Sequence, residues 1–565
     1  MNGPVADATG CPIAALDEAT LCGALARTIS ERAGQPAQRT LDGAVEYTYA
    51  QYAERIRAVA TGLHSLGVRR GDTVGIMLRN RPEFAVVDAA AMHLGAVAFS
   101  VYNTSSPEQI AQIMGNARNR VLVTELMLLP RALAAHAPDL EHVVLVDGTA
   151  EGAMTLAELG SRHSPGFRFE DAWREVEPGD VLTLIYTSGT TGPPKAVQLT
   201  HASVLAEARG LVSVMPHPTG GSSISYLPMA HVGDRVLNHY LASMCLGRTI
   251  VSIEDYRRIG EALVQVRPEV FGGVPRVWEK LKAAVEAAGV RDPAGLPEPV
   301  KAAVRARLGL DRTAWSVSSA APIAPDVLRF FEDLGLRVRE GWGMSETSCF
   351  VTVNPVDAPR PGTVGRALPG VELRILEDGE VAVRGPLVMK GYRDDPERTA
   401  EVLGPDGWLH TGDVATVDAD GYVTIVDRKK ELIINSAGKN MSPANIENRL
   451  RATSPLIGQA VCIGDRRPYN VALLVLDADA AGRWAAGRGR SAAFADLAVD
   501  ADLHAVLAAA VEQANAALSR VEQIRRFAVL PVEWQPGGDE LTPTSKLKRR
   551  PIAVKYAAEI ERLYS

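Results

Sequence analysis

The sequence has few cysteines, no surplus of positive charge and no long apolar run. Its five cysteines, Cys11, Cys22, Cys245, Cys349 and Cys462, are scattered with no close pair. That spacing excludes a disulfide framework or a zinc ribbon and fits a reducing cytoplasm. Lys and Arg number 60 against 67 Asp and Glu, for a formal net charge of −7. No excess is left to neutralise a phosphate backbone, which excludes a nucleic-acid partner. Asp7, Asp17 and Glu18 interrupt the start of the chain, so no signal peptide is read there. The best candidate for a membrane span, Ala89 to Val101, contains His93 and is too short. This leaves room only for a peripheral membrane contact.

What is present is ordinary for a soluble globular protein, with 46% apolar and 22% charged residues. At 565 residues the chain exceeds a single core and predicts several domain-sized units. A helix is read near Leu21–Glu31. From Tyr49 an amphipathic helix places Tyr52, Ile56, Val59, Leu63 and Leu66 on one face, with Gly67 as its cap. Strand Thr73–Leu78, helix Glu83–Leu94, strand Ala96–Ser100 and the runs Val121–Thr124 and His142–Val146 follow. Alternation of this kind predicts an α/β fold with parallel pairing.

The densest chemistry lies at Tyr186-Thr187-Ser188-Gly189-Thr190-Thr191-Gly192-Pro193-Pro194-Lys195-Ala196, after the apolar run Val181–Ile185. Glycines let backbone N–H groups close on an anion, hydroxyls add donors, and the lysine adds a charge. It is not the common P-loop, in which Gly-Lys-Ser/Thr opens a helix. Here a diproline precedes the lysine and Val197–Thr200 reads as strand, so a hairpin-type loop at a strand end is predicted.

Several later segments carry weaker signals. Ile224 to His231 reads as a strand ending in proline and histidine, and a lone histidine there serves packing more often than chemistry. Phe271 to Lys280 joins a strand to a helix through Gly272 and Gly273. Trp315 to Pro322 ends a strand in small residues that admit a flat ring, or merely pack closely. Glu340-Gly341-Trp342-Gly343-Met344-Ser345-Glu346 offers an aromatic face and then a carboxylate, a combination suited to a base and to magnesium. Asp413, after a tight turn, suits ribose hydroxyls. Near residue 428 the run Asp427-Arg428-Lys429-Lys430-Glu431 marks a change of character. Beyond it, strands Gln459–Gly464, Val471–Leu476 and Arg526–Leu530 surround a helix with Leu503, Val506, Leu507, Val511 and Leu518 on one face. The chain then reaches an exposed loop presenting Lys546.

Taken together and in order, these segments resemble the AMP-forming adenylating enzymes across roughly residues 45–550. Pro228–His231 with Asp234-Arg235, Val274–Lys280 and Leu541–Arg549 resemble the long-chain fatty acyl-CoA synthetase branch. The resemblance implies a large N-terminal domain of layered α/β subdomains, residues 1–428, and a small mobile α+β C-terminal domain, residues 429–565. It also implies ATP, magnesium and coenzyme A as cofactors, and a medium- to long-chain fatty acid activated through an acyl adenylate before transfer to CoA.

By that resemblance Thr187, Ser188, Gly189, Thr190, Thr191, Gly192 and Lys195 hold the β- and γ-phosphates. Ser319, Ala320 and Ala321 border the adenine together with Glu340, Gly341 and Gly343, and Trp342 stacks on it. Ser345 meets the α-phosphate, and Glu346 binds magnesium with Thr187. Asp413 and Arg428 take the ribose, and Lys546 reaches the reacting carboxylate. His231, Gly273 and Gly343 adjoin the acyl chain, Lys430 is the hinge, and Gly438 lines the pantetheine path. Lys548, Arg549 and Arg550 are candidates for CoA phosphates. Three positions depart from the family pattern. Ala196 and Ser319 stand where glycine is common, and Trp342 replaces a tyrosine, keeping the stacking face without the hydroxyl. The competing readings are an acyl-AMP ligase that loads a carrier protein and a catalytically inactive nucleotide-binding regulator.

Overall fold

The computed structural model describes residues 5–187, 194–434, 440–542 and 545–565. The fold is mixed α/β. Its centre is an eight-stranded sheet in which Gly391–Tyr392, Lys195–Thr200, Val181–Thr187, Val97–Ser100, Thr73–Met77, Val121–Thr124, His142–Leu145 and Ala153–Thr155 lie side by side. The strands from Val181–Thr187 to Ala153–Thr155 are parallel, as the β–α alternation predicts. Val181–Thr187 turns back on Lys195–Thr200 antiparallel, with Thr187 opposite Lys195. The predicted hairpin is therefore present in its flanks; its tip, residues 188–193, lies outside the described residues.

Local sequence sets these elements. The helix Tyr49–Ser65 opens with a reciprocal cap, the Thr48 hydroxyl accepting from the Gln51 N–H while the Gln51 side chain accepts from the Thr48 N–H. It buries Tyr52, Ile56, Val59 and Leu63 and stops before Gly67, whose φ of +87° suits only glycine without strain. Each large aliphatic side chain so buried contributes roughly 1.5–3 kcal/mol. Pro82–His93 is buried at every position but Glu83 because it is covered by the sheet on one side and by other helices on the other.

A second sheet matters for the site. Val270–Gly273, Trp315–Ser318 and Val338–Trp342 are parallel, with Gly273 opposite Ser318 and Ser318 opposite Glu340. Their carboxyl ends converge, the usual placement of ligands on such sheets. An antiparallel sheet of Glu372–Ile375, Glu380–Arg384, Leu409–Val417 and Val423–Arg428 follows. Beyond it Ile457–Ile463, Asn470–Leu476 and Ile524–Leu530 form a separate three-stranded sheet beneath the helices Pro443–Thr453 and Ala501–Ala516. Among the described residues, no cluster of buried apolar side chains crosses residue 428.

Two expectations are corrected. The strand read from Ile224 to His231 ends at Ser225. Past that point the Asn80 amide donates to the Leu227 carbonyl and to the carboxylate of Asp234, which draws the chain off the sheet as a loop. Val506, expected on the buried face of its helix, is 39% exposed, while Leu503, Leu507 and Val511 are buried. All five cysteines are free. No helix among the described residues is long and apolar enough to cross a membrane.

Candidate active site

The converging strand ends place most of the predicted residues in one cleft. Ser319 donates its hydroxyl to the Gly341 carbonyl at 2.9 Å, which ties the small-residue turn to the neighbouring strand. Ala320 follows at φ +73°, a left-handed conformation costly for alanine and typical of strain held at a functional turn. Gly341 and Gly343 are required by close approach. A Cβ on Gly343 would lie 1.7 Å from the Cys349 carbonyl oxygen, and one on Gly341 would lie 2.6 Å from the Phe350 ring. Gly273 faces the Trp278 indole edge, which would stand 2.9 Å from a Cβ there. Glu340 is buried and accepts the Gly362 N–H; burial pushes its carboxyl up to about 7.

Trp342 is itself buried, and its indole N–H donates to Asp413 at 2.8 Å. The departure from tyrosine therefore does not leave the site without a donor. Asp413 pairs on its other oxygen with Arg428 at 3.2 Å, across the register of two antiparallel strands. Burial raises the Asp413 carboxyl, opposed by Arg428, the Trp342 donor and Lys546.

Glu346 lies in a single turn of 3-10 helix, Ser345–Thr347, and is 7% exposed. One of its oxygens accepts the Tyr392 hydroxyl at 2.9 Å, and the Lys195 ammonium stands 4.6 Å from the centre of the same tyrosine ring. Tyr392 thus joins the lysine of the hairpin to the carboxylate of another segment, and sequence reasoning missed it. Its only signal is its position beside the hairpin strand, with Tyr392 opposite Val197, and that is not visible before folding. Thr187 is half-buried at the hairpin's end.

His231 has Nδ1 accepting the Gly233 N–H at 3.1 Å, so it caps the short turn that follows. Burial and the nearby Lys546 charge push it down to about 3, which keeps it neutral at physiological pH. Lys546 comes from the C-terminal lobe, its backbone held in a turn with Thr542. It keeps an open face to water within the cleft. The surrounding protein and Arg428 still lower its pKa, against the pull of Asp413, Glu431 and Glu346. Lys430 is exposed on the turn after Arg428. Gly438, like Ser188, Gly189, Thr190, Thr191 and Gly192, lies outside the described residues. The idea that Lys548 and Arg549 meet CoA phosphates is corrected, because Lys548 donates to the Gly538 carbonyl and Arg549 pairs with Glu447 and Glu431.

The family model described as AMP-binding enzyme matches residues 25–393, and that described as AMP-binding enzyme C-terminal domain matches residues 430–565. The chain belongs to the AMP-binding enzyme family. Among curated members, fadD11 of Mycobacterium tuberculosis (strain ATCC 25618 / H37Rv) is 49% identical over 453 residues, 74% of this chain and 79% of that protein. The long-chain-fatty-acid–CoA ligase FadD15 of Mycobacterium bovis is 38% identical over 571 residues, 94% of each chain. Among solved structures, the adenylation domain of a Mycobacterium chelonae carboxylate reductase superposes with a TM-score of 0.79 at 21% identity, covering 98% of this chain and 92% of that one. The anthranilate CoA ligase AuaEII, in complex with anthranoyl-AMP, gives 0.75 at 20% identity, covering 96% and 98%. These two likenesses show a shared α/β fold with a large N-terminal and a smaller C-terminal domain.

Proposed function

We propose that the chain is an ATP-dependent fatty acyl-CoA ligase acting on a medium- to long-chain acid. A carboxylate oxygen attacks the α-phosphorus of ATP, and the bond to pyrophosphate breaks to leave an acyl adenylate. The sulfur of CoA then attacks the acyl carbonyl, AMP departs with the bonding pair, and the thiol proton passes to solvent. The observation that carries this reading is the entry of Lys546 from the C-terminal lobe into a cleft that already holds Asp413, Arg428 and Glu346. A mobile cation beside a ribose-binding carboxylate suits charge that builds on the α-phosphate and the attacking oxygen.

The hairpin around Thr187 and Lys195 grips the β- and γ-phosphates in this reading. Ser319, Ala320, Ala321, Glu340, Gly341 and Trp342 form the adenine wall, Ser345 meets the α-phosphate, and His231 with Gly273 borders the acyl chain. No group of three or more His, Cys, Asp or Glu able to cage a metal occurs among the described residues. A magnesium ion carried in by the nucleotide fits that, because it needs only one or two protein ligands plus phosphate oxygens. Glu346 has one oxygen engaged by Tyr392 and the other without a hydrogen-bond partner among the described residues, and would hold the ion with Thr187. Bound there, magnesium would neutralise phosphate charge. Residues 1–428 and 429–565 act as two bodies that turn about Lys430 between the half-reactions.

Purified protein given ATP and saturated acids of increasing length should release pyrophosphate with one range of lengths and form the thioester when CoA is added. Pyrophosphate release without thioester would make it a ligase for a carrier protein. No release with any acid would leave it a nucleotide-binding regulator.

A further inference from the structure

The two lobes meet through ion pairs in two places. Beside the hinge, Lys429 pairs with Asp378 and Glu380. Away from it, the ion pairs joining the lobes among the described residues run between the helix Pro275–Ala287 of the N-terminal lobe and the start of the helix Ala478–Ala486 of the C-terminal lobe. Arg276 binds Asp477, and Lys280 binds Asp479 at 3.2 Å. The two pairs differ in kind. Lys280 and Asp479 are 54% and 68% exposed, whereas Arg276 and Asp477 are 29% and 13% exposed. An exposed pair is screened and contributes little, while a pair two-thirds or more shielded from water keeps its attraction.

Arg276 is also fixed in place, since its other terminal nitrogen bonds Glu279 at 3.2 Å, one turn along the same helix. Asp477 accepts the Ala480 N–H as the N-cap of its helix. Burial works against its charge, and Arg276, that cap and Lys280 outweigh it, so the carboxylate is held ionised. Each partner is thus pre-set on a rigid element before the lobes meet. Arg276 lies three residues past Gly273, at the mouth of the proposed acyl segment, and Asp477 belongs to the lobe that carries Lys546.

We propose that Arg276 is a positioning residue for adenylation, whose pairing with Asp477 docks the C-terminal lobe with Lys546 in the cleft and must break before the CoA step. This rests on the two-step reading above. Its consequence is asymmetric: weakening the pair reduces the fraction of molecules poised to adenylate and leaves the second half-reaction intact.

The test uses the full chain and two substitutions. Arg276→Ala removes the cation. Asp477→Asn removes the charge while keeping a side-chain oxygen for the helix cap, since Asn and Asp cap equally well. Each should slow pyrophosphate release by about three- to tenfold. Each should leave thioester formation from a supplied fatty acyl adenylate and CoA unchanged or faster. The double variant should be no slower than either single variant, and melting temperatures should stay close to wild type. Lys280→Ala, which loses only the exposed pair, should fall within about twofold of wild type. Equal losses in both half-reactions, additive losses in the double variant, or adenylation at the wild-type rate in Arg276→Ala would each overturn the proposal. Failure of the wild type itself to release pyrophosphate would overturn the two-step reading instead.

Discussion

Replacing Trp342 with Phe tests how the cleft holds Asp413, the carboxylate proposed to bind ribose. The substitution keeps an aromatic face and removes the indole N–H that donates to Asp413 at 2.8 Å. Hydrogen bonds to charged groups contribute about 1.5–3 kcal/mol. Asp413 is 7% exposed at its side chain, so water replaces the lost donor poorly, but Arg428 remains at 3.2 Å on the other oxygen. Arg428 is 54% exposed and its attraction is screened, so it offsets part of the loss and not all of it. The lower end of the range therefore applies, about 1.5 kcal/mol, or roughly tenfold in affinity and one unit in pKa.

The sign follows directly. The indole N–H favours the carboxylate form, so its removal raises the Asp413 pKa, and protonation begins at higher pH. In a pyrophosphate-release assay, Trp342→Phe should raise the KM for ATP about tenfold and move the acid limb of kcat/KM upward by about one pH unit. Trp342→Tyr, which restores a polar edge, should recover part of both. A KM for ATP within twofold of wild type together with an unmoved acid limb would refute the reasoning.

Glu346→Gln keeps a partner for the Tyr392 hydroxyl and loses the charge, so adenylation should fall by about 100-fold or more while the melting temperature stays put; restored activity at high magnesium would match a weakened ion site. Lys546→Ala should lower pyrophosphate release by about 100- to 1,000-fold and leave CoA transfer to a supplied acyl adenylate within a few fold, which a single-turnover assay of each half-reaction resolves. Glu207 is fully buried, and burial pushes its carboxyl up to about 8, so it is protonated at neutral pH. The unfolded chain gives up that proton near pH 4.5 and the folded chain only near 8, so wild-type stability declines across that interval. The melting temperature of Glu207→Gln should therefore gain on wild type steadily from about pH 5 to 8, and a constant difference would count against a neutral Glu207.

Much of the fold was legible because it rests on local pattern. The helix Tyr49–Ser65 has its cap, its apolar spacing and its terminating glycine in a row, and the parallel strands announce themselves as short apolar runs between helices. The site was legible in its parts, as Glu340–Glu346, the turn before Asp413, Asp427-Arg428 and the loop with Lys546 each carry chemistry within a few residues. What was not legible is pairing across the fold. Trp342 and Asp413 are 71 positions apart, and Tyr392 meets Glu346 across 46. Neither partner's spacing predicts the other, because the convergence of strand ends from different sheets brings them together. Val506 sits on an apolar stripe wider than the surface that covers it. Ile224–His231 reads as strand because its residues suit one, yet only Ile224 and Ser225 pair with another strand, and the Leu227 carbonyl accepts the Asn80 amide instead.

The pairing of Thr187 with Lys195 has a consequence for spacing. Adjacent strands lie about 4.8 Å apart, so the hydroxyl and the ammonium start from a fixed separation set by the sheet, not by the residues between them. The spacing of the two groups therefore belongs to the sheet, and an anion held between them meets a gauge that substitutions elsewhere in the chain leave unchanged so long as the strand pair survives.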